Sequence, residues 1–232
     1  MKVIGVIPAR LHSNRFPKKI LHPIDGKPMV VHVYEQAVKA KSLDDVIVAI
    51  DADETETFLN EWKVKTIMTS DNHVSGTDRI QEAVVDIEAD VVVNIQGDEP
   101  TINPLLIDEL VQQFEDTTIE MATVAGQDMD VENIMDVNAV KVLLDGGGFA
   151  VNFRREPVET EAGGYYHHMG IYAYRKATLE KFTALAPSKN ELALKLEQYR
   201  ALDNGIPIKV ILVDKVNKGI DTMDDLKEFD RI

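Results

Sequence analysis

The chain has 232 residues, 44% of them hydrophobic, enough for one sizeable core, yet no apolar run approaches the roughly 20 residues that a membrane helix needs. With 40 acidic against 25 basic residues, its formal charge of −15 opposes binding to nucleic acid or an anionic membrane, and the absence of cysteine removes disulfides, thiolate catalysis and cysteine zinc sites. Nothing after Met1 reads as a secretory leader, so the expectation is a single soluble domain over 1–232, cytoplasmic, whose few cations gather locally at Arg10, Arg15, Lys18 and Lys19 to meet a small anionic substrate.

In chain order, β-branched runs at 3–7, 46–50, 66–68 and 91–95 alternate with amphipathic stretches at 29–39, 54–62, 77–87 and 104–114, which is the rhythm of an α/β protein. The run at 91–95 is nearly all apolar and stops at Gln96-Gly97-Asp98-Glu99-Pro100, as a buried parallel strand ending in a turn does; its carboxyl end should line the ligand crevice. The rhythm then changes. Strands are expected at 121–124, 140–144, 149–153 and 169–174, then a helix pair at 177–185 and 192–202, a last strand at 209–213 and a helix from 223. Gly146-Gly147-Gly148 lies between two strands and reads as a turn.

The segment after the first strand, from Pro8-Ala9-Arg10 to Lys18-Lys19, occupies the place where α/β proteins bind phosphate. It has neither GxxxxGK[ST] nor GxGxxG, which also argues against an NAD-dependent oxidoreductase. Its chemistry must come from side chains. Arg10 can bond two phosphate oxygens with its fork and Lys19 can place a point charge, although a solvated basic loop has the same composition. Asp98 and Asp221 each follow a strand or loop and suit magnesium, which takes one or two carboxylates plus phosphate oxygens and water. Arg79 reads either as a ligand or as the charged end of a helix capped by Thr77, His168 as a site or core histidine, and Glu197-Gln198 as a site or a solvated helix face.

Pro8-Ala9-Arg10, Ser13, Arg15-Phe16-Pro17 and Lys19 together resemble the amino-terminal signature of sugar nucleotidyltransferases. Asp25-Gly26-Lys27-Pro28-Met29, Ser75-Gly76-Thr77-Asp78-Arg79, Gln96 to Pro100, His168-Met169-Gly170-Ile171-Tyr172, Leu196-Glu197-Gln198 and Gly219-Ile220-Asp221-Thr222 are similar to segments of the 3-deoxy-manno-octulosonate (Kdo) cytidylyltransferases, in the same order over nearly the whole chain. The resemblance implies a Rossmann-like α/β nucleotidyltransferase fold. Its mostly parallel central sheet would be flanked by helices, with a smaller mixed-sheet excursion at about 139–175 that forms a homodimer. It also implies transfer of CMP from CTP to a sugar acid, for lipopolysaccharide biosynthesis.

By that resemblance Arg10 and Lys19 bind the triphosphate, and Asp98 and Asp221 carry Mg2+. Ala9, Ser13, Ser75, Gly76, Arg79 and Gln96 surround the cytidine or sugar, and Arg155, His168, Tyr172, Glu197 and Gln198 take the sugar acid. The chain departs from the pattern at Lys18 and Ile20, where the family has glycine and proline, at Arg154 in place of serine, and in a shorter connection over 158–166. The first two suggest a shifted loop or an extra cation near the phosphates, whereas Arg154 and the shorter connection bear on the acceptor. The 8-amino analogue of Kdo, its ammonium met by Glu156, is one alternative, and a non-catalytic sugar-nucleotide-binding paralogue is another.

Overall fold

Valine and isoleucine dominate the first strand, β1 (Val3–Ala9), and all but one of its residues are buried. A strand that is apolar on both faces needs cover on both, and it finds parallel neighbours on either side. The computed structural model describes residues 1–12, 16–127, 134–157, 164–215, 219–220 and 225–226. These divide into two compact units, one holding Met1–Val111 together with the described residues of the chain's end, the other Gln112–Val216.

In the first unit β1 pairs in parallel with β4 (Asp45–Ile50) on one side and β6 (Val91–Asn94) on the other, and β4 pairs in parallel with β5 (Thr66–Met68). Helices α1 (Met29–Ala37), α2 (Asp53–Asn60) and α3 (Gly76–Ala83) make the crossovers, and α4 (Pro104–Gln112) follows β6. After β1 the chain steps outward to β4 and β5, then returns to place β6 on the opposite side of β1. The strand order therefore reverses between β1 and β6, and their carboxyl ends open the crevice in which such sheets bind ligands. Between β1 and α1 lies a two-residue hairpin, β2 (Pro23–Ile24) with β3 (Lys27–Pro28), which the sequence reading passed over. Asp25 and Gly26 turn it with φ of 50° and 77°, and Asp-Gly is the pair such a turn favours. Phe16, Ile24 and Met29 pack with Ile220 and Leu226, so the chain's end closes over this hairpin.

In the second unit β7 (Met121–Gly126) pairs in parallel with β11 (Ile208–Val213) and antiparallel with β10 (Tyr165–Arg175). Strand β8 (Lys141–Leu144) pairs antiparallel with β10 and with β9 (Ala150–Arg154). The triple glycine is the turn of the β8–β9 hairpin, with Gly148 at φ +76° and the Asp145 carboxylate accepting from Gly147 and Phe149 amides at 2.8 and 2.9 Å. β10 begins earlier than its apolar pattern suggests, because Tyr165 to His167 pair with β8. After α5 (Lys176–Ala184), the single helix expected at 192–202 is two: α6 (Lys189–Leu194), opened by a Ser188–Glu191 capping box, and α7 (Gln198–Asp203). Lys195, in the left-handed region at φ 55°, ends the first of them. Of the helix expected from 223, only 225–226 lie among the described residues, and they are helical.

Candidate active site

β1 ends in Ala9, fully buried, and Arg10 follows it exposed to solvent. The next amide, of Leu11, donates to Asp51 Oδ1 at 2.8 Å. Lys18 sits at φ 53°, the conformation a glycine adopts without strain, and its ammonium pairs with Glu54 at the start of α2. It is thus committed to a neighbouring helix. Ile20 is buried, and a Cβ on Gly97 would lie 3.9 Å from its Cγ2. Lys19 opens a short 3-10 turn and donates from Nζ to Asp98 Oδ2 at 2.6 Å, with both side chains mostly buried.

Three segments converge on the end of β1. A Cβ on Gly97 would lie 3.2 Å from the Pro8 carbonyl, and one on Gly76 3.3 Å from the Pro8 ring, so glycine lets the turn after β6 and the start of α3 approach this closely. Asp98, in that turn, accepts at its carbonyl from the Ile220 amide at 2.9 Å. Asp221, like Ser13 and Arg15, lies outside the described residues. Gln96 is half-buried beside Asp98. Glu99 is buried, and desolvation, reinforced by the Asp98 charge, pushes its carboxyl well above the usual range; its Oε2 has no hydrogen-bond partner among the described residues. Among those residues no three acidic or histidine side chains gather into a metal cage.

Ser75 caps α3, its hydroxyl accepting from the Asp78 amide at 3.0 Å; the cap is therefore not Thr77, which is buried within the first turn. Arg79 is not the helix's solvated end either. It is 3% exposed, and donates to Asp51 Oδ2 at 3.0 Å and to Thr69 Oγ1 at 2.6 Å.

In the second unit His168 is buried. Thr123 donates to the Ile171 carbonyl at 2.7 Å and, with that proton committed, accepts from His168 Nε2 at 3.0 Å, which assigns the neutral tautomer with a lone pair on Nδ1. Burial, with lesser contributions from the charges of His167 and Arg155, lowers its pKa to about 3. Phe153 and Tyr172 flank the ring at 5.2 and 5.4 Å. Burial, then the Glu197 charge, raises the Tyr172 phenol, so these three polar groups share one environment. Glu197 is half-buried and Gln198 buried, which removes the solvated-face reading of that pair. Arg155 is exposed; its guanidinium donates to the Asn138 carbonyl at 3.1 Å, and its own carbonyl accepts from Lys141 Nζ at 3.0 Å. Lys141 is wholly buried, and desolvation lowers its pKa.

A family model described as cytidylyltransferase matches residues 4–211. A 3-deoxy-manno-octulosonate cytidylyltransferase of Chloroherpeton thalassium is 42% identical, covering 100% of this chain and 98% of its own length. One from Pelobacter propionicus is 39% identical over 97% and 95%. This chain belongs to the cytidylyltransferase family, in its 3-deoxy-manno-octulosonate branch. A solved CMP:2-keto-3-deoxy-manno-octonic acid synthetase complexed with CTP superposes with a TM-score of 0.94 at 36% identity, covering 100% of this chain and 98% of that one.

Among cytidylyltransferases of this pattern, two departures of the present chain now have a physical place. Lys18 occupies a left-handed position with its charge on Glu54. Arg154 lies over the Tyr165 ring, 5.9 Å from its centroid, and approaches Glu156 at 3.8 Å. Glu156, the residue on which the amino-sugar alternative leaned, thus has a cation beside it within its own chain. Asp51, Glu99 and Lys141 were not singled out from the sequence, although the structure buries or bonds them here. The burial of Glu99 and the partners of Asp51 and Lys141 leave no local signature.

Proposed function

We propose that this chain transfers the CMP group of CTP to the anomeric hydroxyl of Kdo, releasing pyrophosphate. The observation that carries the reading is the Lys19–Asp98 pair at the strand switch point: a cation for phosphate and a carboxylate for metal, held together at the end of β1 in a chain of this family. In the reaction the sugar oxygen bonds to the α-phosphorus as the bond to the bridging oxygen of pyrophosphate breaks, and the hydroxyl proton leaves to solvent. Arg10 presents a fork to phosphate oxygens, and Lys19 brings its ammonium to the charge that develops there.

Magnesium suits the donors on this side. The Asp98 carboxylate is a hard oxygen ligand in the turn after β6, and Asp98 with Asp221 would hold the ion. Bound there, magnesium supplies charge neutralisation at the α-phosphate and a lower pKa for the attacking hydroxyl. Ala9, Ser13, Ser75, Gly76 and Gln96 are assigned to the cytidine side. Arg155 is assigned to the sugar carboxylate, and His168, Tyr172, Glu197 and Gln198 to its hydroxyls; because His168 is held neutral, it offers them a lone pair rather than a charge.

The product would feed lipopolysaccharide assembly. We place the protein in the cytoplasm as a homodimer joined through 139–175; among the described residues no helix is long and apolar enough to cross a membrane. The test is pyrophosphate release from CTP with magnesium against Kdo, 8-amino-Kdo, other 2-keto sugar acids and no acceptor. Release that requires Kdo and disappears in Asp98→Ala is expected. Silence with every acceptor, from a folded protein that binds CTP, would replace the transferase with a binding paralogue.

A further inference from the structure

Arg79 joins the carboxyl ends of three adjacent strands. Thr69, just beyond β5, donates its hydroxyl to the Ile50 carbonyl at the end of β4 at 2.7 Å and accepts from Arg79 at 2.6 Å. Asp51, just beyond β4, accepts from Arg79 on one oxygen at 3.0 Å and from the Leu11 amide, just beyond β1, on the other at 2.8 Å. Thr69, Arg79 and the Asp51 carboxylate are all nearly sealed from solvent, with side-chain exposure of 3% and 9% across the ion pair. An ion pair so enclosed keeps its geometry, because releasing either partner strands a buried charge. Leu11 is itself 3% exposed, whereas Arg10 beside it is exposed. The bonded chain from Thr69 through Arg79 and Asp51 thus ends on the backbone that aims Arg10.

We propose that Arg79 and Asp51 are positioning residues for the nucleotide: they do not touch CTP but fix the backbone at Leu11, and so the direction of Arg10 at the end of β1. This deepens the reading that Arg10 receives the CTP phosphates and rests on it. The guanidinium has its fork directed at Asp51 and Thr69, which gives a side chain of the nucleotide-side signature a part to play without being a ligand. Displacing a phosphate-binding group by about 1 Å is enough to cost up to about 10²-fold in rate.

The test uses the full chain in four forms besides wild type: Asp51→Ala, Arg79→Met, both together, and Asp51→Asn combined with Arg79→Met. The last removes both charges and keeps an acceptor for the Leu11 amide, so it stays folded if the stranded charge of Arg79→Met unfolds that protein. Amide hydrogen exchange without ligand is expected to speed at Leu11 by about tenfold or more in Asp51→Ala and in Arg79→Met, with less change in the charge-free pair. Steady-state pyrophosphate release should show the KM for CTP raised about tenfold in Asp51→Ala with the KM for Kdo within about twofold. Adding Arg79→Met to Asp51→Ala should raise the CTP KM further by less than about threefold, since the link is already broken.

Unchanged exchange at Leu11 in folded Asp51→Ala overturns the proposal. So does a CTP KM that multiplies in the double variant, because Arg79 would then touch the nucleotide itself. Should wild type release no pyrophosphate from CTP, the functional reading falls by itself, and the exchange measurement still decides the anchor.

Discussion

Burial holds the His168 imidazole neutral, and the cost is readable in pH. In the unfolded chain the ring protonates as pH falls below its ordinary value of 6.5, whereas in the folded chain burial keeps it neutral down to about 3. The folded-state pKa is depressed, so the stability tied to this residue is complete above 6.5 and is lost on acidification, at about 1.4 kcal/mol per pH unit. Urea unfolding of wild type between pH 6.5 and 4.5 should therefore fall more steeply than that of His168→Gln; parallel curves would mean that the ring is not held neutral. The Lys19–Asp98 pair sets a second expectation at this scale. Lys19→Met should lower kcat by about 10²–10³-fold while leaving the fold intact, because one preorganised cation facing developing charge is removed. Pyrophosphate release with circular dichroism as the folding control measures it. Both residues stood in recognisable sequence patterns. What no pattern showed is that Arg79 faces Asp51, 28 positions away, rather than solvent.

Between residues and the whole chain, two elements carry conformations chosen by chemistry nearby. Lys18 in its left-handed position costs about 1–2 kcal/mol relative to glycine, offset by the exposed pair with Glu54 and by the smaller unfolded-state entropy of a non-glycine residue. Lys18→Gly should thus shift the melting temperature by no more than a few degrees, while β-branched Lys18→Val should lower it clearly; thermal scans separate the two. The α6–α7 corner depends on Arg200. It clamps Glu191 through two bonds of 2.6 and 3.0 Å and stacks 5.0 Å from the centroid of the Phe182 ring. Arg200→Met leaves a buried carboxylate stranded, with an expected loss of about 3–5 kcal/mol, most of it recovered when Glu191→Gln is added. Because Glu197 and Gln198 leave this corner, the surviving double variant should show a raised KM for Kdo with the KM for CTP little changed. The start of α6 was legible, since Ser188 and Glu191 form a capping box in the sequence, but the break after it was not, because the left-handed turn at Lys195 carries no glycine to announce it.

For the molecule as a whole, the charge of −15 and the cationic end of β1 act in opposite directions on CTP, and the proposed magnesium would meet part of the ligand's charge. CTP with magnesium at about 100 times its Kd should stabilise wild type by about 2.7 kcal/mol, seen as a melting shift of roughly 5–10 °C. In Asp98→Ala the part of that shift that needs magnesium should vanish; an undiminished shift would move the metal away from Asp98. By itself the sequence determined the α/β rhythm, the place of the basic residues after β1, the turn at Asp98 and the glycine hairpin. Each of these is written in local periodicity or in a residue type that a turn requires. Only the tertiary structure decided that Arg79 is a buried strut, that Lys18 is paired with α2, that Glu99 is sealed and raised, and that Lys141 is enclosed beneath Arg155. The physical reason is common to all four. Periodicity reports which face of an element leaves water, but a buried charge is defined by its partner, and the partner arrives from another part of the chain when the sheet closes.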